Sequence, residues 1–320
     1  MMNIPDSNLH GPLQKGFLHH DRIFYIAQGF PTLANASPSS EAGMSIDASM
    51  SDKPTLVLLH QTPSTCMMFM PLMEQLSTQA QVIALDTPGY GQSRGETNDI
   101  KQAAQSLYHA LQDFGVQRAC VLGHHTGASL AVELAVSYPG FVTSLILGGP
   151  PFISNEQRVF RLAQVLEIKK QVRKEQVLLA PLIPSIINDH DRMLTPTAKQ
   201  CYQHIYQSLQ KKDSRASAHI IQRELLYRLL AADQLPMTYQ AVWQHPFATY
   251  LLQLSIPIFL YAGVEDSLIE YLPNAVEQVQ KVNPCTMQRV FQEAGGYICE
   301  LASDRLSHAI VDFWTLYDLL

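Results

Sequence analysis

From Arg118 to Gly127 the chain reads Arg-Ala-Cys-Val-Leu-Gly-His-His-Thr-Gly. The first half is a continuous apolar run without alternation, the pattern of a strand buried on both faces of a parallel sheet. The second half sets Gly123 and Gly127 around His124, His125 and Thr126. Glycines at that spacing permit a sharp turn from the strand into a helix beginning near Thr126. Beyond it Leu130, Leu134 and Ala135 recur at helical spacing.

Runs of the same kind occupy Thr55–His60, Gln81–Asp86, Val142–Gly148, Ile256–Gly263 and Thr286–Phe291. Between the second run and Arg118, Ile100, Ala103, Ala104, Leu107, Leu111 and Phe114 mark an amphipathic helix. Strand–helix alternation of this kind predicts an α/β fold with a mostly parallel central sheet flanked by helices. Gly16–Gly29 reads as two short strands around a turn at His20-Asp21, and residues 30–53 as a surface loop. Residues 151–255 break the alternation and read as a helical insertion. The expected division is therefore a core of residues 1–150 and 256–320 with a helical cap at 151–255. Arg158, Arg161, Lys169, Lys170, Arg173 and Lys174 in that insertion read as a solvated helix face.

Composition narrows the function classes. In 320 residues, 47% are apolar and 16% charged, enough for a sizeable core. The net charge of −6, from 22 basic and 28 acidic side chains, argues against nucleic acid as the main partner. No membrane association is expected: the uncharged run Leu134–Asn155 is broken by Pro139, Gly140, Gly148, Gly149, Pro150 and Pro151, and Met1–Pro12 has no apolar leader. Five scattered cysteines without a C-x-x-C pair point to thiols in a reducing cytoplasm, so a cytoplasmic location is expected. The oligomeric state is not encoded in any pattern found here.

In an open parallel sheet, ligands bind beyond the carboxyl ends of the strands. Four segments follow such ends: His60-Gln-Thr-Pro63, Asp86-Thr-Pro-Gly-Tyr-Gly-Gln-Ser93, Gly123-His-His-Thr-Gly127 and Gly263-Val-Glu-Asp266. In this order and spacing they resemble the α/β-hydrolase superfamily over nearly the whole chain, and most nearly an atypical branch whose motifs read HQTP and GHHTG. The resemblance implies a small-molecule substrate, no cofactor and no metal. It places His125 at the tip of the nucleophile turn, Asp266 as the acid, and the Thr62 and Thr126 N–H groups as the oxyanion hole. It also places Gly296 where the family carries its catalytic histidine. His308 falls inside the terminal helix.

Chemistry with this altered set remains available. A serine hydroxyl needs a neighbouring base, whereas neutral imidazole, with an ordinary pKa near 6.5, attacks or accepts a proton directly. Glycine at 296 would leave room for the larger ring to lean toward Asp266. A His125–Asp266 dyad is therefore expected, cleaving a small ester, lactone or related acyl compound. Two other outcomes share the same residues: a proton-abstracting or lyase-type enzyme, and an inactive homologue that binds a ligand. Gln61 either contacts substrate or fills space. His60 and Trp243 are further substrate-side candidates, though bracing and packing are their simpler roles; His245 and Phe247 belong to the same group as Trp243. His124 reads as packing, Asp86 as a turn anchor, Glu265 as the fallback acid, and Asp189-His190-Asp191 as surface rather than a metal cluster.

Overall fold

The computed structural model describes residues 12–20, 22–30, 53–179, 203, 205–211, 213–292 and 294–320. Its centre is an eight-stranded sheet. The strands are β1 (Gln14–Leu18), β2 (Ile23–Gln28), β3 (Thr55–Leu59), β4 (Gln81–Leu85), β5 (Ala119–His124), β6 (Val142–Gly148), β7 (Ile258–Gly263) and β8 (Thr286–Phe291). They lie in the order β1-β2-β4-β3-β5-β6-β7-β8. The β1–β2 and β2–β4 pairs are antiparallel and every other pair is parallel. The α/β class and the mostly parallel sheet are thus as the strand runs predicted.

Helices cover both faces. The longer ones among the described residues are α1 (Met70–Leu76), α2 (Ile100–Asp113), α3 (Thr126–Ser137), α4 (Asn155–Leu179), α5 (Ala218–Leu230), α6 (Leu235–Gln244), α7 (Phe247–Leu251), α8 (Leu272–Val282) and α9 (Ser303–Leu316). One core cluster joins α2, α3 and α8 to the sheet; the other joins α1 and α9 to its opposite face. The amphipathic face read from the sequence is the buried face of α2, and Asp99 caps that helix by accepting from the Gln102 N–H at 2.9 Å. Helix α3 is buried from Thr126 through Ala135, because it lies between the sheet and other helices.

Two strand expectations shift. The run at Ile256 enters the sheet at Ile258, Pro257 lying just before the strand. The β8 run is not buried on both faces: Gln288, Arg289 and Val290 are exposed because β8 is the last strand of the sheet.

Helices α4 to α7 lie between β6 and β7. Ala241, Val242, Phe247 and Leu251 share a core cluster with α3, so the end of this interval packs into the main body. The buried His245–Glu133 pair, 2.9 Å apart, ties the α6–α7 corner to α3. On α4, Lys169, Lys170, Arg173 and Lys174 are exposed as expected, whereas Arg161 is half-buried and turned against Tyr271. Asp189-His190-Asp191 lies outside the described residues. Among the described residues no helix is long and apolar enough to cross a membrane, and the four described cysteines are free thiols.

Candidate active site

Strand β5 ends at His124 and α3 begins at Thr126, so the turn between them consists of His125 alone. His125 has φ +51° and ψ −108°, outside the regions an L-residue ordinarily occupies. The turn is pinned on both sides. The His125 N–H donates to the Gly148 carbonyl at 2.8 Å, and the His125 carbonyl accepts from the Ala128 N–H at 2.9 Å. Side chains at 123 and 127 would collide with the backbone of α3 and β3 respectively, which accounts for the flanking glycines.

From this turn the imidazole reaches across the end of β6 to the loop after β7. Its Nε2 lies 3.0 and 2.9 Å from the two oxygens of Asp266. Oδ1 of Asp266 also accepts from the Leu268 N–H at 2.8 Å. The carboxylate is 2% exposed. Burial alone would raise its pKa, but the His125 imidazole, followed by His124 and the Leu268 N–H, outweighs this and lowers it to about 2. An ionised Asp266 at these distances places the proton of neutral His125 on Nε2. Nδ1 then carries the lone pair, and no group among the described residues bonds to it.

Glycines that the motif pattern does not contain make this reach possible. A Cβ at Gly149 would overlap Cδ2 and Nε2 of His125 and press on Oδ2 of Asp266, and at φ +53° the backbone already favours glycine. A Cβ at Gly148 would overlap Nδ1 of His124 and the Tyr261 ring. The Gly148-Gly149 pair is legible in the sequence, but its purpose appears only when β6 is placed between β5 and β7. Gly296, expected to leave room for the His125 ring, presents its carbonyl to Nε2 of His124 at 3.2 Å.

His124 is fully buried, its ring stacked on His125 with centroids 4.4 Å apart. Ligand atoms of His124, His125 and Asp266 fall within 4.8 Å of one another. Their hydrogen bonds to Gly296 and to each other account for that closeness.

A cavity of about 320 Å³ opens above the dyad. His125, Thr126, Thr62, Trp243 and Tyr239 line it, together with Arg161 from α4 and Arg228 from α5. Neither the Thr62 nor the Thr126 N–H meets an acceptor among the described residues, and Thr126 opens the N-terminus of α3, where N–H groups point outward. Trp243 carries the Arg161 guanidinium 5.5 Å from its ring centroid. Arg161 and Arg228 were not marked as site residues by the sequence; a charge on an otherwise solvated helix gives no sign of turning inward.

The remaining candidates lie away from the cavity wall. His60 is fully buried: Nδ1 donates to the Gln61 carbonyl at 2.8 Å while Nε2 accepts from the Thr87 N–H at 2.9 Å. Desolvation lowers its pKa, so it braces two loops as a neutral ring. Gln61 is 1% exposed, and neither end of its amide has a hydrogen-bond partner among the described residues. Asp86 anchors its turn, accepting from the Cys66 and Gln92 N–H groups. Glu265 accepts from the N–H and hydroxyl of Ser214, which draws it away from His125. His245 pairs with Glu133, Phe247 is core, and His308 is exposed on α9.

Sheet order, crossovers and a strand–turn–helix site at the carboxyl ends of β3, β5 and β7 define an α/β hydrolase fold. The profile of the family described as alpha/beta hydrolase fold matches residues 54–302, and the chain belongs to that family. Among curated relatives, "Putative carbamate hydrolase RutD" of Escherichia coli O17:K52:H18 is 23% identical over 280 residues, covering 85% of this chain and 91% of the relative. Among solved structures, the epoxide hydrolase CorEH superposes with a TM-score of 0.66 at 14% identity, over 96% of this chain and 99% of that one. The enol-lactonase of Burkholderia xenovorans LB400 gives 0.56 at 16% identity, over 83% and 92%. At these identities the structural likeness concerns the fold.

Proposed function

We propose that the protein is a cofactor-free hydrolase of a small ester, lactone or related acyl compound, with His125 and Asp266 as its working pair. The observation that carries this is the double contact of Nε2 with Asp266, which leaves Nδ1 as the basic nitrogen of a residue lining the cavity. In a serine triad the imidazole relays a proton for a hydroxyl. Here the imidazole stands at the turn itself and acts on the acyl carbon or on water without an intermediary.

The nucleophilic route balances simply. Nδ1 bonds to the acyl carbon, the carbon–oxygen bond breaks, and the alcohol leaves with a proton from water. The Nε2 proton stays against Asp266, whose charge stabilises the acyl-imidazolium. The hydroxide left by that water then adds to the acyl carbon, the carbon–nitrogen bond breaks, and the carboxylic acid departs from neutral imidazole. In the general-base route Nδ1 instead takes a proton from the attacking water. In both, negative charge develops on the carbonyl oxygen, for which the unpaired N–H groups of Thr62 and Thr126 are the donors. The helices between β6 and β7 act as the cap over the cavity. Hydrolysis is preferred to proton abstraction because relatives matched over most of their length carry hydrolase names.

The test is rapid quenching of a reaction with an activated acetyl ester, followed by peptide mapping. Acetyl on His125 establishes the nucleophilic route. Turnover that is abolished in His125→Ala, without acyl on His125, establishes the base route. Turnover unchanged in folded His125→Ala sinks the proposal.

A further inference from the structure

We propose that the cavity above His125 takes an acyl substrate bearing an oxyanion, a carboxylate or a phosphate, held by Arg161 and Arg228. This rests on the hydrolase function proposed for the same site and narrows its substrate class.

The chain as a whole is acidic, with net charge −6. The cavity runs against that balance. Its lining includes two arginines and, among the described residues, no aspartate or glutamate. Asp266 is 2% exposed and lies behind the His125 ring, with its charge directed onto the imidazole.

Arg161 is a positioned cation rather than a solvated one. Its Nε donates to the Tyr271 hydroxyl at 3.1 Å, an Nη1 proton points to Gln164 at 3.5 Å, and Nη2 meets Tyr271 and Glu270. These contacts leave one of the five guanidinium N–H groups uncommitted. Glu270 offsets the charge from the solvent side, where its side chain is 62% exposed. The guanidinium carbon also lies 5.5 and 5.6 Å from the Trp243 and Tyr271 ring centroids. These contacts hold the guanidinium in place.

Arg228 enters from α5 and lines the cavity together with Tyr239. The Tyr239 hydroxyl in turn donates to the Thr62 carbonyl at 3.4 Å. The two cations come from different helices, Arg161 from α4 and Arg228 from α5. An anion leaving water for a cavity needs such partners, and guanidinium forks match oxyanions closely. The cavity, at about 320 Å³, is sized for a small molecule, with aromatic surface from Trp243 and Tyr239 for its apolar part.

Isothermal titration of the full chain with three probes of one shape tests this: 4-phenylbutyrate, 3-phenylpropyl phosphate and neutral 4-phenylbutyramide. We expect one of the anions to bind at least about tenfold more tightly than the amide, and the tighter anion names the group. In Arg161→Gln and Arg228→Gln, folding checked by thermal melts, that preference should shrink at least about fivefold. Equal affinities, no binding of any probe up to about 5 mM, or a preference that survives both substitutions would overturn the subsite. Titration reads binding without turnover, so failure of the acyl-trapping experiment leaves this result interpretable. Hydrolysis of neutral esters with no preference for anions would remove the subsite and leave the hydrolase function standing.

Discussion

The His125 ring lies over Gly149, on its way from the end of β5 to Asp266 in the loop after β7. A methyl group at 149 would occupy the space of Cδ2 and Nε2. The glycine that follows β6 thus sets the path of the ring, and Gly148 does the same for His124 behind it.

Gly149→Ala should therefore displace the ring as well as strain a backbone at φ +53°. We expect a stability loss of about 1–3 kcal/mol and at least about a tenfold fall in acyl turnover. A thermal melt and an activated-ester assay measure the two effects. Unchanged turnover would mean that the ring does not work from this position.

Asp266→Asn offers Nε2 an amide that either donates or accepts, and so no longer enforces one tautomer. In a relay of this kind the wrong tautomer costs up to about 10⁴ in rate. We expect a fall of at least about 100-fold in kcat with the fold retained, checked by steady-state kinetics and circular dichroism. A loss below about threefold would show that Asp266 does not hold the working proton.

Activity should fall on acidification, because only neutral imidazole attacks or accepts a proton. The fall cannot come from Asp266, whose carboxyl is held down to about 2. Stability falls in the same direction, but at lower pH. A carboxyl with its folded-state pKa lowered contributes stability above its unfolded value, near about 4, and loses it as the pH drops toward 2. Initial rates from about pH 4 to 9 and melts from about pH 2 to 6 separate the two effects; a flat rate across the first range with chemistry limiting would exclude His125 as base or nucleophile.

No serine-directed reagent should label the site. The tip of the turn carries imidazole, and Thr126 lies within the first turn of α3. Intact-mass measurement after treatment with an alkyl fluorophosphonate should show no adduct on any Ser or Thr, and stoichiometric labelling of either would relocate the nucleophile.

Glu133→Gln tests the packing of α6 and α7 onto α3. Glu133 and His245 are both nearly inaccessible, 2.9 Å apart, and Ser137 also donates to Glu133. Burial works to raise the Glu133 carboxyl, but His245 and Ser137 together lower it below the usual value. Breaking one side of such a pair costs about 3–5 kcal/mol. A melt should show the loss; a change below about 0.5 kcal/mol would mean that the pair contributes little to this contact.

The sequence by itself determined the α/β class, the sheet runs and the strand–turn–helix at Gly123–Gly127, because these are local patterns. Uninterrupted apolar stretches mark strands covered on both faces, and glycines mark turns that a Cβ would block. It also nominated His125 and Asp266, through the resemblance of the loop motifs to the α/β-hydrolase superfamily. The tertiary structure alone decided the rest. Arg161 belongs to a basic series on α4 whose members at 169, 170, 173 and 174 face solvent, and nothing in their spacing separates it from them. It turns inward because Trp243 and Tyr271, 82 and 110 residues further along, supply its surface. His60, beside the site in sequence, has both ring nitrogens committed to the backbone of two loops. Periodicity records which face of an element is covered; it carries no information on which distant side chain covers it, and a cavity is made of such distant neighbours.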